Sequence, residues 1–210
     1  MIRPVRILQL EEVEPRVLSM ARAIAFEAGV SSNLSGAVHC EAYPSHSTSQ
    51  FRADVLLTDC VSDVKHANQL SLVLTSRDLY VPSLSYVFGI AMRNLNACIV
   101  SCFRLGGNTE VFGARLAKEI IHEVGHLNGL RHCQDSSCVM SFSNTVAAVD
   151  RKKPKFCLRC TNEISSFPYD RDAGNVLVVQ NASGFSNQLA QRGAYSSRPS
   201  PASTPPRVSD

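Results

Sequence analysis

Residues 122–132 read HEVGHLNGLRH, and this stretch decides how the rest of the chain is read. His122 and His126 stand four apart, so on an α-helix their imidazoles leave one face about 6 Å apart along the axis and can share a metal ion. Glu123 is rotated by roughly 100° from His122, which sets its carboxylate beside such a metal rather than on it and makes it the general-base candidate. His132 lies six residues past His126. A continuing helix would carry it about 9 Å further along the axis, out of reach. The chain must turn, and Gly129 is the residue able to take the left-handed conformation that ends helices. Three neutral imidazoles leave a fourth tetrahedral position open, the pattern of a catalytic rather than a structural zinc. A bare HExxH can equally decorate the polar face of a helix or sit satisfied in a core. The glycine and the third histidine at fixed offsets weigh against that reading.

The cysteines extend the pattern. Cys133 follows His132 directly, Cys138 comes five residues later, and Cys157 and Cys160 form a second pair beyond an eighteen-residue spacer. CxxxxC followed by CxxC is zinc-site spacing, and four thiolates would close a tetrahedral site with no position left for water. The competing reading is disulfide bonding, which requires an oxidising compartment. The N-terminal MIRPVRILQLEEVE passes from a short apolar stretch straight into acidic residues, without a secretory h-region. Reduced thiols and cytoplasmic or nuclear residence, not secretion, are therefore expected. Cys40, Cys60, Cys98 and Cys102 lack spacing partners and read as buried free thiols, while His39, His46 and His66 are isolated and carry no metal role. Adjacent residues of an extended stretch point to opposite sides. His132 and Cys133 could thus serve two different zinc ions, the second fixing the third ligand of the first.

The run from His122 to Cys160, read as HEVGHLNGLRHC, DSSCVMSFSN and KFCLRC, resembles the archaemetzincins, whose pattern is HExxHxxGxxHC, then CxM and a later CxxC. The likeness continues upstream through SLVLTSRDLYVPSLSYVFGIAM and ACIVSCFRL and covers residues 1–168, loosely in the N-terminal third. One departure is visible. Sixteen residues separate Met140 from Cys157, one fewer than the family's spacing, which bears on the path of that loop rather than on the ligands. The resemblance implies a zinc metallopeptidase with two zinc ions per chain: a catalytic one on His122, His126 and His132 with Glu123 as base, and a structural one on Cys133, Cys138, Cys157 and Cys160. It assigns Met140 to the Met-turn that packs beneath the metal-binding histidines. It also implies a zincin-like α/β (α+β) fold: a mixed twisted sheet with an antiparallel edge strand, the active-site helix, and a C-terminal subdomain stapled by zinc on four cysteines. The catalytic domain would span 1–168, with a sheet-and-helix part at 1–130 and the zinc-stapled part at 131–168. The alternative is a zinc-binding protein of this fold that holds peptides or nucleic acid without cleaving them.

Hydrophobic patterning supports an α/β layout. Residues 4–10 read as a strand, 13–28 as an amphipathic helix ending at Gly29, 35–43 as a second strand and 47–60 as a weak helix. Gln69 to Thr75, centred on LSLVLT, reads as a buried strand. Residues 86–91 and 97–104 form a hairpin about the NLN turn at 94–96. In the metzincin arrangement the first of these two strands would be the edge strand above the cleft, where an extended peptide substrate could pair with it. The helix bearing the motif runs from about Val111 to Asn128, with Leu116, Ile120, Ile121, Val124 and Leu127 on its apolar face. Phe142 and Ser143 are candidates for the pocket beyond the metal.

Of the 210 residues 44% are hydrophobic, and no apolar run approaches the eighteen or so needed to span a bilayer, so no membrane partner is expected. The formal charge of +3 gives no strong field toward nucleic acid. A local basic run over 151–159 (Arg151, Lys152, Lys153, Lys155, Arg159) could contact nucleic acid. The favoured reading is that its cations offset a dianionic tetrathiolate and otherwise face solvent. From about residue 170 to 210 the chain is Ser/Pro-rich and reads as a disordered tail, within which VLVVQ (176–180) is either a last strand or a docking motif. No dinucleotide loop, P-loop or GxSxG is present. Nothing in the sequence sets an oligomeric state.

Overall fold

The stretch LSLVLT (β4, Leu70–Thr75) is buried at every residue, as a parallel strand covered on both faces must be. In the computed structural model, which describes residues 4–10, 13–27, 32–38, 49–62, 69–166 and 177–178, β4 lies inside the main sheet. Its partners are β1 (Val5–Leu10) and β8 (Ala97–Ser101), both parallel to it. Outside β1 lies β2 (Ser32–Val38), also parallel, and outside β8 lies β7 (Gly89–Met92), antiparallel. The outermost pairing on that side comes from β9 (Leu177–Val178), antiparallel to β7 through Ala91 and Met92. A second, smaller sheet joins β3 (Phe51–Arg52), β5 (Leu79–Val81) and β6 (Leu84–Val87).

Strand alternation divides the core in two. Val5, Ile7, Leu70, Leu72, Leu74, Cys98 and Val100 face one cluster with α1 (Pro15–Glu27) and α3 (Thr109–Leu127), while Leu8, Leu10, Val73, Ala97 and Ile99 face another with α2 (Ala53–Val61). Helix α1 follows from its pattern: Val17, Leu18, Ala21 and Ala25 make one buried face, and Pro15 suits a first turn. Leu56 and Leu57 of α2 are fully buried, each contributing about 1.5–3 kcal/mol of transfer free energy. A third cluster holds Leu130, Cys133, Cys138, Val139, Met140 and Cys160, with Ile121 of α3 packed against it. Helix α3 is therefore wedged between the sheet and this lower cluster. Its Ile121 turns away from the other apolar residues with which the sequence groups it. Two short helices, α4 (Val146–Arg151) and α5 (Leu158–Ser166), complete the lower part.

Four sequence expectations need correction. The helix expected over 47–60 begins at Ala53, because Phe51 and Arg52 pair with Leu79 and Tyr80 as a strand. The strand expected over 86–91 breaks at Phe88: Leu84–Val87 joins the small sheet and Gly89–Met92 the large one. The strand expected over 97–104 ends at Ser101, whose hydroxyl bonds the carbonyl of Arg77. The sheet does end in antiparallel strands, but β9 lies beyond β7, so β7 is not the outermost strand along Ala91 and Met92. Within VLVVQ, Leu177–Val178 is a strand. The rest of the expected tail lies outside the described residues, as do His39, Cys40, His46 and His66. Among the described residues no helix is long and apolar enough to cross a membrane.

Candidate active site

Helix α3 starts at the Asn108 cap, whose side chain accepts the Val111 N–H at 3.0 Å, and Glu110 in its first turn suits the positive end of the helix dipole. It ends as the sequence requires. Gly129 takes φ 94°, Gly129 N–H bonds the His126 carbonyl at 3.0 Å, and Leu130 N–H returns to Gly125 at 3.1 Å, a left-handed helix stop. The turn brings His132 back to His122 and His126, with ring centroids 5.3 and 4.9 Å away. One ring nitrogen of each of the three lies within 4.8 Å of the others.

The tautomers are set by backbone. His122 Nδ1 lies 2.8 Å from the carbonyl of Val139, and His126 Nδ1 lies 2.8 Å from that of Leu130. A carbonyl only accepts, so both Nδ1 atoms carry the proton and both Nε2 atoms present lone pairs. These two Nε2 atoms face each other at 3.0 Å, near the roughly 3.3 Å edge of a tetrahedron around zinc. Two lone pairs so placed are stabilised by a shared cation. His132 Nε2 is buried with no hydrogen-bond partner among the described residues, the third donor such a cation needs. Burial, then the nearby charge of His132, holds His126 down to about pKa 3. Burial, then Lys152, holds His132 at about 4, and burial, then Lys152, pushes His122 well below the usual range. The donor set is thus neutral imidazole, which fits zinc. Glu123, next in sequence to His122, is fully buried.

Met140 lies under the helix. A Cβ on Gly125 would come within 2.5 Å of its sulfur and 3.1 Å of Phe156 Cε1, so the glycine inside HEVGH is the gap into which Met140 packs. Cys133 N–H bonds the Met140 carbonyl at 2.9 Å. Phe142 meets His132 edge-on at 5.5 Å, and Ser143 is buried.

The four cysteines are free thiols. Cys133 and Cys157 sulfurs are 3.7 Å apart, and those of Cys138 and Cys160 are 3.9 Å apart. These match the about 3.8 Å edge of a tetrahedron with 2.3 Å zinc–sulfur bonds and are far beyond a disulfide's roughly 2.05 Å. Cys157 N–H donates to Cys138 Sγ at 3.3 Å, and Arg159 to Cys133 Sγ at 3.3 Å. Hydrogen bonding from the Cys160 backbone lowers the Cys157 thiol to about pKa 7, whereas burial raises Cys138 and Cys160. Cys60, Cys98 and Cys102 are buried, as expected.

The basic run separates into two roles. Arg159 does face a sulfur, but Lys152 neither offsets the thiolates nor faces solvent. Its ammonium is fully buried, 3.0 Å from Glu119 Oε1 and 3.2 Å from the Ser141 carbonyl. Sequence reasoning missed this pair because its members lie 33 residues apart and each resembles a surface charge. It also missed Gly125, whose role depends on what packs opposite. Burial is the signal that exposes both.

Three imidazoles converging from a helix and the turn after it, with no fourth ligand residue grouped with them among the described residues, fit a metal that keeps one position for a reactant. Under a mixed sheet, that defines a metallopeptidase with a helix-borne HExxH. Comparison narrows the class. The sequence profile described as Peptidase family M54 matches residues 46–166. An archaemetzincin from Methanopyrus kandleri is 44% identical over 122 residues, which span 56% of this chain and 70% of that protein. The crystal structure of archaemetzincin from the same organism superposes with a TM-score of 0.71 at 34% identity, covering 78% of this chain and 93% of that one. The Archaeoglobus fulgidus archaemetzincin, crystallised with malonate, gives a TM-score of 0.67 at 29% identity, with 76% and 99% covered. The chain belongs to peptidase family M54, the archaemetzincins. It is a zinc metallopeptidase whose substrates are peptides or proteins.

Proposed function

We propose that His122, His126 and His132 hold the catalytic zinc, that Glu123 is the general base and acid, and that Cys133, Cys138, Cys157 and Cys160 hold a second, structural zinc. Met140 forms the floor beneath the histidines. Residues 1–168 act as one catalytic unit, with 131–168 as its zinc-stapled lower part. The observation that carries this reading is the pair of Nδ1–H groups locked on the Val139 and Leu130 carbonyls, which leaves the facing Nε2 atoms as donors.

Zinc, when bound, supplies Lewis acidity toward a scissile carbonyl and makes water a competent nucleophile near neutral pH. The protein's own groups do the rest. The imidazoles are fixed before substrate arrives, so little reorganisation is needed. Glu123 accepts the proton of the attacking water on its carboxylate and returns it to the departing amine nitrogen, leaving two shorter peptides. The substrate lies extended along the outer side of β7 near Gly89 and Ile90, where strand addition uses its backbone groups.

The test is zinc content and cleavage of a library of quenched fluorogenic peptides, with and without chelator. Two zinc ions per chain and chelator-sensitive cleavage, with Glu123→Gln retaining zinc but losing 10²–10⁴ in rate, are about what general-base catalysis predicts. Equal cleavage by Glu123→Gln refutes the assigned base. Peptide binding without cleavage by the zinc-loaded protein supports the binding-module alternative.

A further inference from the structure

A missing side chain brings Glu123 against β7. A Cβ built on Gly89 would stand 2.9 Å from Glu123 Cγ and 3.0 Å from its Oε1, closer than carbon packs against either. The same Cβ would come within 2.7 Å of the carbonyl oxygen of Ile99 on the neighbouring strand. An added methyl is therefore trapped between a strand backbone and the Glu123 side chain. The strand is the rigid partner: β8 is buried at every residue and paired on both sides. Moving Glu123 relieves only its own contact, and the 2.7 Å approach to Ile99 also presses β7 away from β8, so the support under Glu123 is disturbed from both sides.

Backbone conformation does not explain this glycine. Gly106, Gly107 and Gly129 have positive φ, whereas Gly89 does not; it pairs with Val100 in an ordinary antiparallel ladder. What the position demands is space. Ala91, two residues on and so on the same face of β7, packs into the α3 cluster, while Ile90 points to the opposite cluster. Helix α3 thus meets β7 across its two smallest side chains, and the acid of the HExxH motif lies over the smaller.

We infer that Gly89 is a positioning residue for the general base: the bare Cα of β7 is the surface that holds the Glu123 carboxylate beside the three histidines. This rests on the proposed role of Glu123, and it adds that the strand under the substrate also sets the placement of the acid.

In the zinc-loaded full chain, the α protons of Gly89 should show a nuclear Overhauser effect to the γ protons of Glu123; its absence overturns the inference. Gly89→Ala should keep its zinc and its KM within about twofold and lose at least about tenfold in kcat, as expected when a catalytic group is misplaced. In the cobalt-substituted protein, the midpoint of the pH-dependent visible spectrum should move in the same direction for Gly89→Ala as for Glu123→Gln. Val100→Ile, which adds bulk at the residue paired with Gly89, should lower Tm without changing kcat or that midpoint. Gly89→Ala with unchanged kcat and midpoint, or Val100→Ile reproducing the loss, overturns the inference. Wild-type activity in Glu123→Gln would sink the base assignment and the positioning role with it, whereas loss of the Overhauser contact with Glu123→Gln inactive would sink the positioning role alone. If Gly89→Ala does not fold, the wild-type Overhauser contact decides.

Discussion

The three histidines and the four cysteines meet at the peptide bond between His132 and Cys133, yet they are built by opposite means. Two histidines ride on α3, nineteen residues long with both ends hydrogen-bonded and a face buried in the core. Their rings are oriented by carbonyls. The cysteines come mostly from irregular chain: Cys133 on an isolated bridge to Ser141, Cys138 in a turn, Cys157 just before α5 and Cys160 inside it. A framework that folds through burial can present ligands before any metal arrives, whereas ligands gathered from loops depend on the metal for their arrangement. The two are coupled through Val139, which follows Cys138 and whose carbonyl holds His122, and through Cys133, whose N–H holds the Met140 carbonyl.

The largest effect tests that coupling. Cys157→Ser should lose both zinc ions and all peptide cleavage, measured by metal analysis and the fluorogenic assay; full zinc content with wild-type activity would break it. Acid gives a second route to the same end. The imidazoles stay unprotonated far below pH 6.5, since His132 and His126 sit at about 4 and 3, whereas Cys157 sits at about 7 and Cys138 and Cys160 are raised. Protons therefore compete for the sulfurs before the imidazoles as pH falls. Both zinc ions should then leave together. Retention of one ion down to about pH 4, seen by metal analysis after gel filtration, would separate the two regions.

Smaller effects sharpen the boundary. Lys152→Ala takes the ammonium from a buried Glu119 carboxylate and should cost about 3–5 kcal/mol in urea unfolding, while Lys152→Met with Glu119→Leu recovers most of it. Gly125→Ala pushes Met140 and Phe156 and should cost about 1–3 kcal/mol by overpacking, read in the same unfolding assay. Asn108→Ala removes only the far cap of α3 and should cost about 1 kcal/mol with zinc content unchanged. A loss of metal there would mean that the helix, not the cysteine region, limits the site.

The two candidate ligand groups that the structure brings together were legible because their order is local. Helical spacing, a glycine stop and paired cysteines all act within a few residues, and Gly129 does take the left-handed turn those features require. Central strands such as β4 were legible for the same reason, through continuous apolar runs. What escaped depends on contacts distant in sequence. The β5–β6 hairpin has strands of three and four residues, too short for periodicity to register. The break at Phe88 follows from two sheets competing for one segment. Glu119 and Lys152 look like solvent charges until the fold places both out of water. Gly89 and Gly125 are ordinary letters in sequence and become specific only against Glu123 and Met140.

The last strand has a consequence of a different kind. By pairing Leu177–Val178 with Ala91 and Met92, the chain seats a piece of itself on the outer side of β7, two residues from the strand's Gly89 end. A segment tethered to its own target acts at an effective concentration that can reach the order of millimolar, unaffected by dilution of the protein. On the proposed substrate path, a long peptide extending past Ile90 would have to displace that resident segment, while one ending there would not. On that path, a substrate's length on one side of the scissile bond would decide how well it competes.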